Sequence, residues 1–182
     1  MKSKKCKYCR SEFVPYSSLQ KNCLNTDCVK AWIDEVKAKQ WAKKKAQLKK
    51  DLMNTSDYLK LAQQIFNRYI NLRDKNKLCI SCGSNINGVR HASHYLSAGG
   101  HSNVRFNEDN VWSSCYKCNV MLSGNLIEYR KSLVNQIGIE RLEWLENNGS
   151  KEKKYTIEEL KEIIKKYKLK CKELETNVNF TK

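Results

Sequence analysis

Proline and glycine are scarce in this chain: one proline and seven glycines among 182 residues, with no glycine before Gly83. Little therefore interrupts a helix, and from 29 to about 75 neither residue occurs, which favours helix there. Acidic residues are also short in supply. Nineteen Asp and Glu stand against thirty-five Lys and Arg, a formal charge of +16. Such a surplus on a small chain excludes an acidic interaction module and points to a polyanion, because neutralised phosphates release counterions. Long apolar runs are missing as well, which excludes a membrane-spanning helix. The opening "MKSKKCKYCR" is polar, so no leader is expected and the chain is expected to stay in a reducing cytoplasm. Histidine is rare too, yet all three, His91, His94 and His101, crowd into eleven residues.

What the chain has in plenty is cysteine. Nine occur, and in a reducing compartment paired cysteines more often hold metal than form disulfides. Eight fall into two groups of four. Cys6-x-x-Cys9 is separated by thirteen residues from Cys23, with Cys28 five positions on. Cys79-x-x-Cys82 is separated by thirty-two residues from Cys115-x-x-Cys118. Four thiolates close a tetrahedral Zn²⁺ site and leave no position for water, so both sites are expected to be structural. The ninth, Cys171, is expected to be a small buried side chain.

These features divide the chain into four segments. Residues 1–29 read as a four-cysteine zinc knuckle whose Lys2, Lys4, Lys5, Lys7 and Arg10 could touch DNA. Residues 30–75 read as a Lys-rich helical region, with eight lysines and two acids between 30 and 50. Its apolar stripe is thin there, so Lys43, Lys44 and Lys45 are expected along DNA, a partner or solvent. "NTSD" at 54–57 offers fresh caps, and Leu59, Ala62, Ile65, Phe66, Tyr69 and Ile70 follow at helical spacing. Residues 76–130 hold the second cysteine group, and 131–182 read as helices. In the last segment Thr156 and Glu159 form a capping box, and Leu160, Ile164, Tyr167, Cys171 and Leu174 form a narrow seam. That seam packs on the chain's own helices or joins a homodimer.

The segment 76–130 carries the chemistry. After "CISC" come a Gly- and Asn-rich turn, a strand near 89–95, a long loop, a strand near 111–114 and the helix that begins at "CYKC". Phosphodiester hydrolysis needs a water, a base and a cation for the developing charge. His94 suits the base, being neutral near pH 7. His91 and Asn119 offer a nitrogen and an amide oxygen to a catalytic Mg²⁺ or Mn²⁺ ion, which keeps several waters. Asn110 would tie the loop to the strand and hold the His94 ring, and Arg105 or Lys117 could grip a phosphate. His101 could contact DNA or metal or stay solvated, and Glu108 and Asp109 could ligate the metal or cap the loop.

The order His94, Asn110, Asn119 inside two Cys-x-x-Cys pairs resembles the HNH, or ββα-metal, nucleases. Two positions depart from that pattern: Ser93 stands where a metal ligand precedes the base, and Leu122 where a lysine is common. Since 91 and 93 share a strand face, His91 would reach from the side Ser93 leaves open. "KCKYC", "CISCG", "SHY", "RFNEDN", "CYKCN", "SGNL", "YR" and "TIEE" further occur in the order of the NinG, or Rap, recombination proteins of lambdoid phages. The resemblance runs over nearly the whole chain. It implies an α+β, mainly helical protein with a zinc-stapled ββα-metal core, an N-terminal zinc knuckle and flanking helices. It also implies a dimeric, phage-encoded endonuclease for branched double-stranded DNA, Holliday junctions and D-loops included, rather than a small-molecule enzyme. A non-catalytic zinc-finger DNA-binding protein is the alternative, and a protein–protein adaptor built on the tail seam would explain the helices but not the histidines.

Overall fold

The computed structural model describes residues 2–179, and the side chains of all of these except 49, 50 and 177–179. Residue 1 and the last three residues of the expected 131–182 segment lie outside the described residues. The chain forms two units, Met1–Met53 and Asn54–Lys182.

The first unit is a hairpin, a cysteine tetrad and one helix. Strands β1 (Lys4–Lys5) and β2 (Glu12–Phe13) pair antiparallel, Lys4 opposite Phe13. Helix α1 runs Thr26–Asp51. It begins four residues before the expected 30 because Asn25 caps it, accepting the Asp27 N–H at 2.9 Å. Cys28 therefore sits in the first helical turn. Along α1 the apolar side chains are not covered: Trp32, Trp41 and Leu48 are about half exposed.

The second unit begins where the Lys-rich region was expected to continue. Helix α2, Thr55–Arg73, is separate from α1, which ends at Asp51, and Asn54 caps its start. Asn54 accepts from the Asp57 N–H at 3.0 Å, and the Asp57 carboxylate accepts the Asn54 N–H at 3.2 Å. The expected 30–75 region is thus two helices in different units. The physical difference is burial: Tyr58, Ala62, Phe66, Tyr69 and Ile70 of α2 are all buried.

Strands β3 (His91–His94) and β4 (Val111–Ser114) pair antiparallel, His91 opposite Ser114 and His94 opposite Val111. Alternation gives the hairpin two covered faces. Ala92 and Val111 face a cluster formed by Phe66, Tyr69 and Ile70 of α2 with Tyr167 and Cys171 of helix α5 (Ile157–Asn179). Phe66 packs edge-on against Tyr167, ring centres 4.8 Å apart. The C-terminal seam thus lies on the chain's own helix, and α5 opens with the Thr156–Glu159 box, closed at 3.2 and 2.9 Å. Trp112 faces the other cluster, built with Ile80, Val104 and helices α3 (Leu126–Ile137) and α4 (Ile139–Gly149). Gly138, at φ +81°, breaks α3 from α4.

The architecture is therefore mixed α and β, mostly helical. One expected element differs. After β4 no regular helix begins at "CYKC"; Lys117–Met121 make one π-type turn, and α3 starts only at Leu126. The cause is local. Cys115 and Cys118 must turn towards one point, and Ser123, Gly124 and Asn125 then take φ of +48°, +97° and +48°. That left-handed run, strained at the two non-glycines, ends the turn. Ser81 pins it by donating to the Gly124 carbonyl at 2.9 Å.

Candidate functional site

Each cysteine group is assembled. The sulfurs of Cys6, Cys9, Cys23 and Cys28 all lie within 4.8 Å of one another, as do those of Cys79, Cys82, Cys115 and Cys118. Cys9 and Cys23 are 3.8 Å apart and Cys82 and Cys115 3.9 Å. A tetrahedron with metal–sulfur bonds of about 2.3 Å has edges of about 3.8 Å, so both tetrads have the size of a structural zinc site. Backbone N–H groups already point at the sulfurs: Cys23 N–H at Cys6 and Cys115 N–H at Cys79, each 3.3 Å. Such donors offset thiolate charge and orient the ligands. Two tetrads able to hold zinc are present, at the two places expected.

The second tetrad joins the turn at 79–82 to the end of β4, and so fixes the hairpin that carries the histidines. His94 ends β3, opposite Val111. Its Nε2 lies 3.1 Å from the Arg105 carbonyl oxygen. With Nε2–H donating there, the Nδ1 lone pair is left uncommitted. Burial holds the His94 pKa below its usual 6.5; the carbonyl bond opposes that shift and the Arg105 charge adds to it. The ring is thus neutral at neutral pH.

Asn110 is fully buried and ties the loop shut. Its Oδ1 accepts the Leu96 N–H at 2.8 Å, while Nδ2 donates to the carbonyls of Leu96 and Val104 at 3.0 and 3.1 Å. Three bonds from one amide hold both sides of the loop that delivers the Arg105 carbonyl to His94.

His91 stands on the other face of β3, with Ser93, and its ring centre is 5.9 Å from that of Tyr116. Its Nε2 is buried without a hydrogen-bond partner, and so is the hydroxyl of Ser114, the residue paired with it across the ladder. Two orphaned polar atoms on one rung are costly unless something satisfies them. Asn119 lies in the π-type turn, half-buried, one residue past Cys118.

Other expected participants are engaged elsewhere. The Arg105 guanidinium donates twice to the Ala98 carbonyl, at 2.9 and 2.6 Å, so it braces the loop. His101 Nδ1 bonds the Gly149 carbonyl at 2.9 Å. Glu108 takes bonds from Tyr69, Tyr167 and Lys170 at 2.7, 3.2 and 2.5 Å, and Asp109 pairs with Arg141 through both oxygens. All three are engaged in bonds within the fold. Lys117 is exposed beside the tetrad, and Lys43, Lys44 and Lys45 are exposed on α1 in the first unit. Among the described residues, the groups of three or more His, Cys, Asp or Glu that could share an ion are the two tetrads.

The family model that describes the bacteriophage lambda NinG protein matches residues 1–177. The chain belongs to the NinG family. Its curated relatives include the ninG proteins of Escherichia phage lambda, 40% identical, Escherichia phage 933W, 39%, and Salmonella phage P22, 38%, each over 119 residues. Those 119 residues are 65% of this chain and 58%, 59% and 58% of the lambda, 933W and P22 proteins, so the match spans less than two thirds of the relatives' length. No solved structure matches.

Within this NinG-family chain the residues that reading the sequence missed are those that support the hairpin from below. Asp74, 1% exposed, accepts from Arg73 at 2.8 Å through each carboxylate oxygen, and from the Ser113 N–H at 3.0 Å. Tyr129, fully buried, donates to the Ser93 carbonyl at 2.9 Å. Asp74 follows the last helical residue and carries no periodic signal. Tyr129 was visible only within the "YR" pair, which carries no sign of that bond.

Proposed function

We propose that this chain is a metal-dependent endonuclease that cuts branched DNA, four-way junctions and D-loops, in phage recombination. One observation carries the reading: a neutral, half-buried histidine at the end of β3, one nitrogen tied to a loop carbonyl and the other uncommitted, on a hairpin whose second strand runs into a cysteine tetrad. That is the state a general base needs. Supporting it are the +16 charge, which suits a phosphate backbone, and membership of the NinG family.

In this mechanism His94 Nδ1 takes a proton from water as the water oxygen bonds to phosphorus and a phosphorus–oxygen ester bond breaks. Asn110 keeps the Arg105 carbonyl in place, and that carbonyl keeps the ring from turning. The orphaned His91 nitrogen fits a role as an ion ligand, with Asn119 supplying an amide oxygen. A Mg²⁺ or Mn²⁺ ion held there would offset charge on the phosphate. Lys117, exposed beside the tetrad, would meet the DNA backbone.

A second reading, a zinc-stapled DNA-binding protein that does not cut, is favoured by one fact. His91 and His94 take opposite faces of β3, and neither belongs to a three-ligand group among the described residues. Incubating the protein with a labelled four-way junction and the matching duplex, with Mg²⁺, Mn²⁺ or EDTA, separates the two. The nuclease reading expects metal-dependent cleavage of the junction that His94→Ala lowers by about 10²-fold or more, with junction binding retained. Tight binding without nicking under either ion would leave the second reading standing.

A further inference from the structure

The first unit has a surface feature that its tetrad does not explain. A groove of about 510 Å³ runs between the loop at 16–24 and α1. Its walls include Tyr8, Tyr16, Leu19, Leu24, Trp32 and Val36. These side chains are not a core: Tyr16 is 75% exposed, Leu19 83%, Leu24 75% and Trp32 49%. Lys7, Lys21 and Lys39 stand at the same groove. Glu35 is the one acid among its lining residues, and it is occupied, accepting from Lys7, Lys39 and Tyr8 at 2.7, 2.5 and 2.6 Å. It thereby holds the Tyr8 ring and two ammonium groups along the rim.

An exposed apolar groove needs an occupant, and charge selects it. Up to Met53 the sequence has fourteen Lys and Arg against five Asp and Glu, a net +9, more than half of the chain's surplus in less than a third of its length. A second copy of the same unit would bring +9 against +9, and like charges juxtaposed across an interface are costly. A polyphosphate strand meets the opposite field. Aromatic rings between lysines are, moreover, what unpaired bases stack on. Bases within a duplex hide their faces and could not use such a groove.

We propose that this groove is a stacking site for unpaired bases of single-stranded DNA, separate from the residues around His94. Lys7, Lys21 and Lys39 take the phosphates, and Tyr16 and Trp32 take base faces. The inference shares with the proposed function only the class of partner. The first unit would then sense the open bases at a branch, whichever residues act on the strand.

The test uses the full, zinc-loaded chain in magnesium-free buffer. Affinity is measured by fluorescence anisotropy for labelled oligothymidylate, for an abasic oligomer with the same number of phosphates, and for duplex. The wild type should prefer oligothymidylate to the abasic strand. Tyr16→Ala and Trp32→Ala should each weaken oligothymidylate binding by about 5- to 150-fold, the range for losing one stacked base, and leave abasic binding unchanged. Equal wild-type affinity for the two strands, or equal weakening on both, would overturn the proposal. Zinc content of each variant reports whether its first unit is intact. As a measurement that needs no variant, photo-crosslinking of iodouracil-substituted oligomer to the wild type should label Tyr16 or Trp32. Adducts confined to residues after Met53 would refute the site, as would a dimer that Tyr16→Ala dissociates while DNA binding persists. Because binding without magnesium is the readout, failure to cleave DNA would leave this result untouched, and loss of base preference would leave the nuclease reading standing.

Discussion

The two cysteine tetrads have the same ligand type and nearly the same sulfur spacing, yet they hold different kinds of structure. In the first unit the buried residues among those described are Cys6, Cys28 and Pro15, so the tetrad is the core. In the second, two apolar clusters already cover both faces of the β3–β4 hairpin, and the tetrad clamps the end of β4 to the turn at 79–82. The same four thiolates thus replace a core in one place and position a loop in another. Size explains the contrast: a segment this small buries too little apolar surface to offset chain entropy without help.

The largest effect that can break this comparison is metal removal. Structural zinc contributes on the order of 10 kcal/mol or more to small domains of this kind. Chelation, or Cys6→Ser, should collapse amide dispersion in NMR spectra for residues up to Met53 while α2 and α5 keep theirs. Persistence of the first unit without metal would show a core that burial does not reveal.

Next comes core truncation. Phe66, fully buried between Phe106 and Tyr167, should cost about 3–5 kcal/mol as Phe66→Ala in urea denaturation. Trp32→Ala, on an exposed ring, should change stability by no more than about 0.5 kcal/mol. Similar losses at both sites would erase the distinction between the units.

Acid sharpens it further. Burial alone would raise the Asp74 carboxyl, but the Arg73 pair, the Ser113 N–H and Lys77 outweigh it and hold its pKa below the usual 3.8. A depressed folded pKa means that its stabilisation is complete above the unfolded value, about pH 4, and is lost as pH falls through the lower folded one. Asp74→Asn should remove that acid limb from the second unit's unfolding curve and cost about 1.5–3 kcal/mol at neutral pH. An unchanged acid limb would assign it to other carboxylates. The smallest effect is expected at the boundary. Asn54→Ala removes the cap of α2 and should destabilise the second unit by about 1 kcal/mol in thermal unfolding, with the first unit unaffected.

Much of the local structure was legible because its causes are local. The Thr156–Glu159 box, the β4 limits and the seam Leu160, Ile164, Tyr167, Cys171 each arise from spacing or composition within a few residues. Other features depend on contacts that short-range periodicity does not report. The helix expected at "CYKC" is one π-type turn because the tetrad directs Cys115 and Cys118 inward and a left-handed run stops the turn. The Arg105 guanidinium donates to the Ala98 carbonyl of its own loop, and nothing in its neighbourhood in sequence signals that bond.

By itself the sequence determined the two metal-sized tetrads, the cationic character, the helical segments and the chemical types gathered between 79 and 119. Those depend on residue identity and short-range periodicity. Only the tertiary structure decided that His94 is half-buried with one nitrogen tied to the Arg105 carbonyl, that the His91 Nε2 is buried without a partner, and that the tail seam is covered by α2. Burial, ring orientation and the choice of partner arise when separate segments pack, and no single segment carries them.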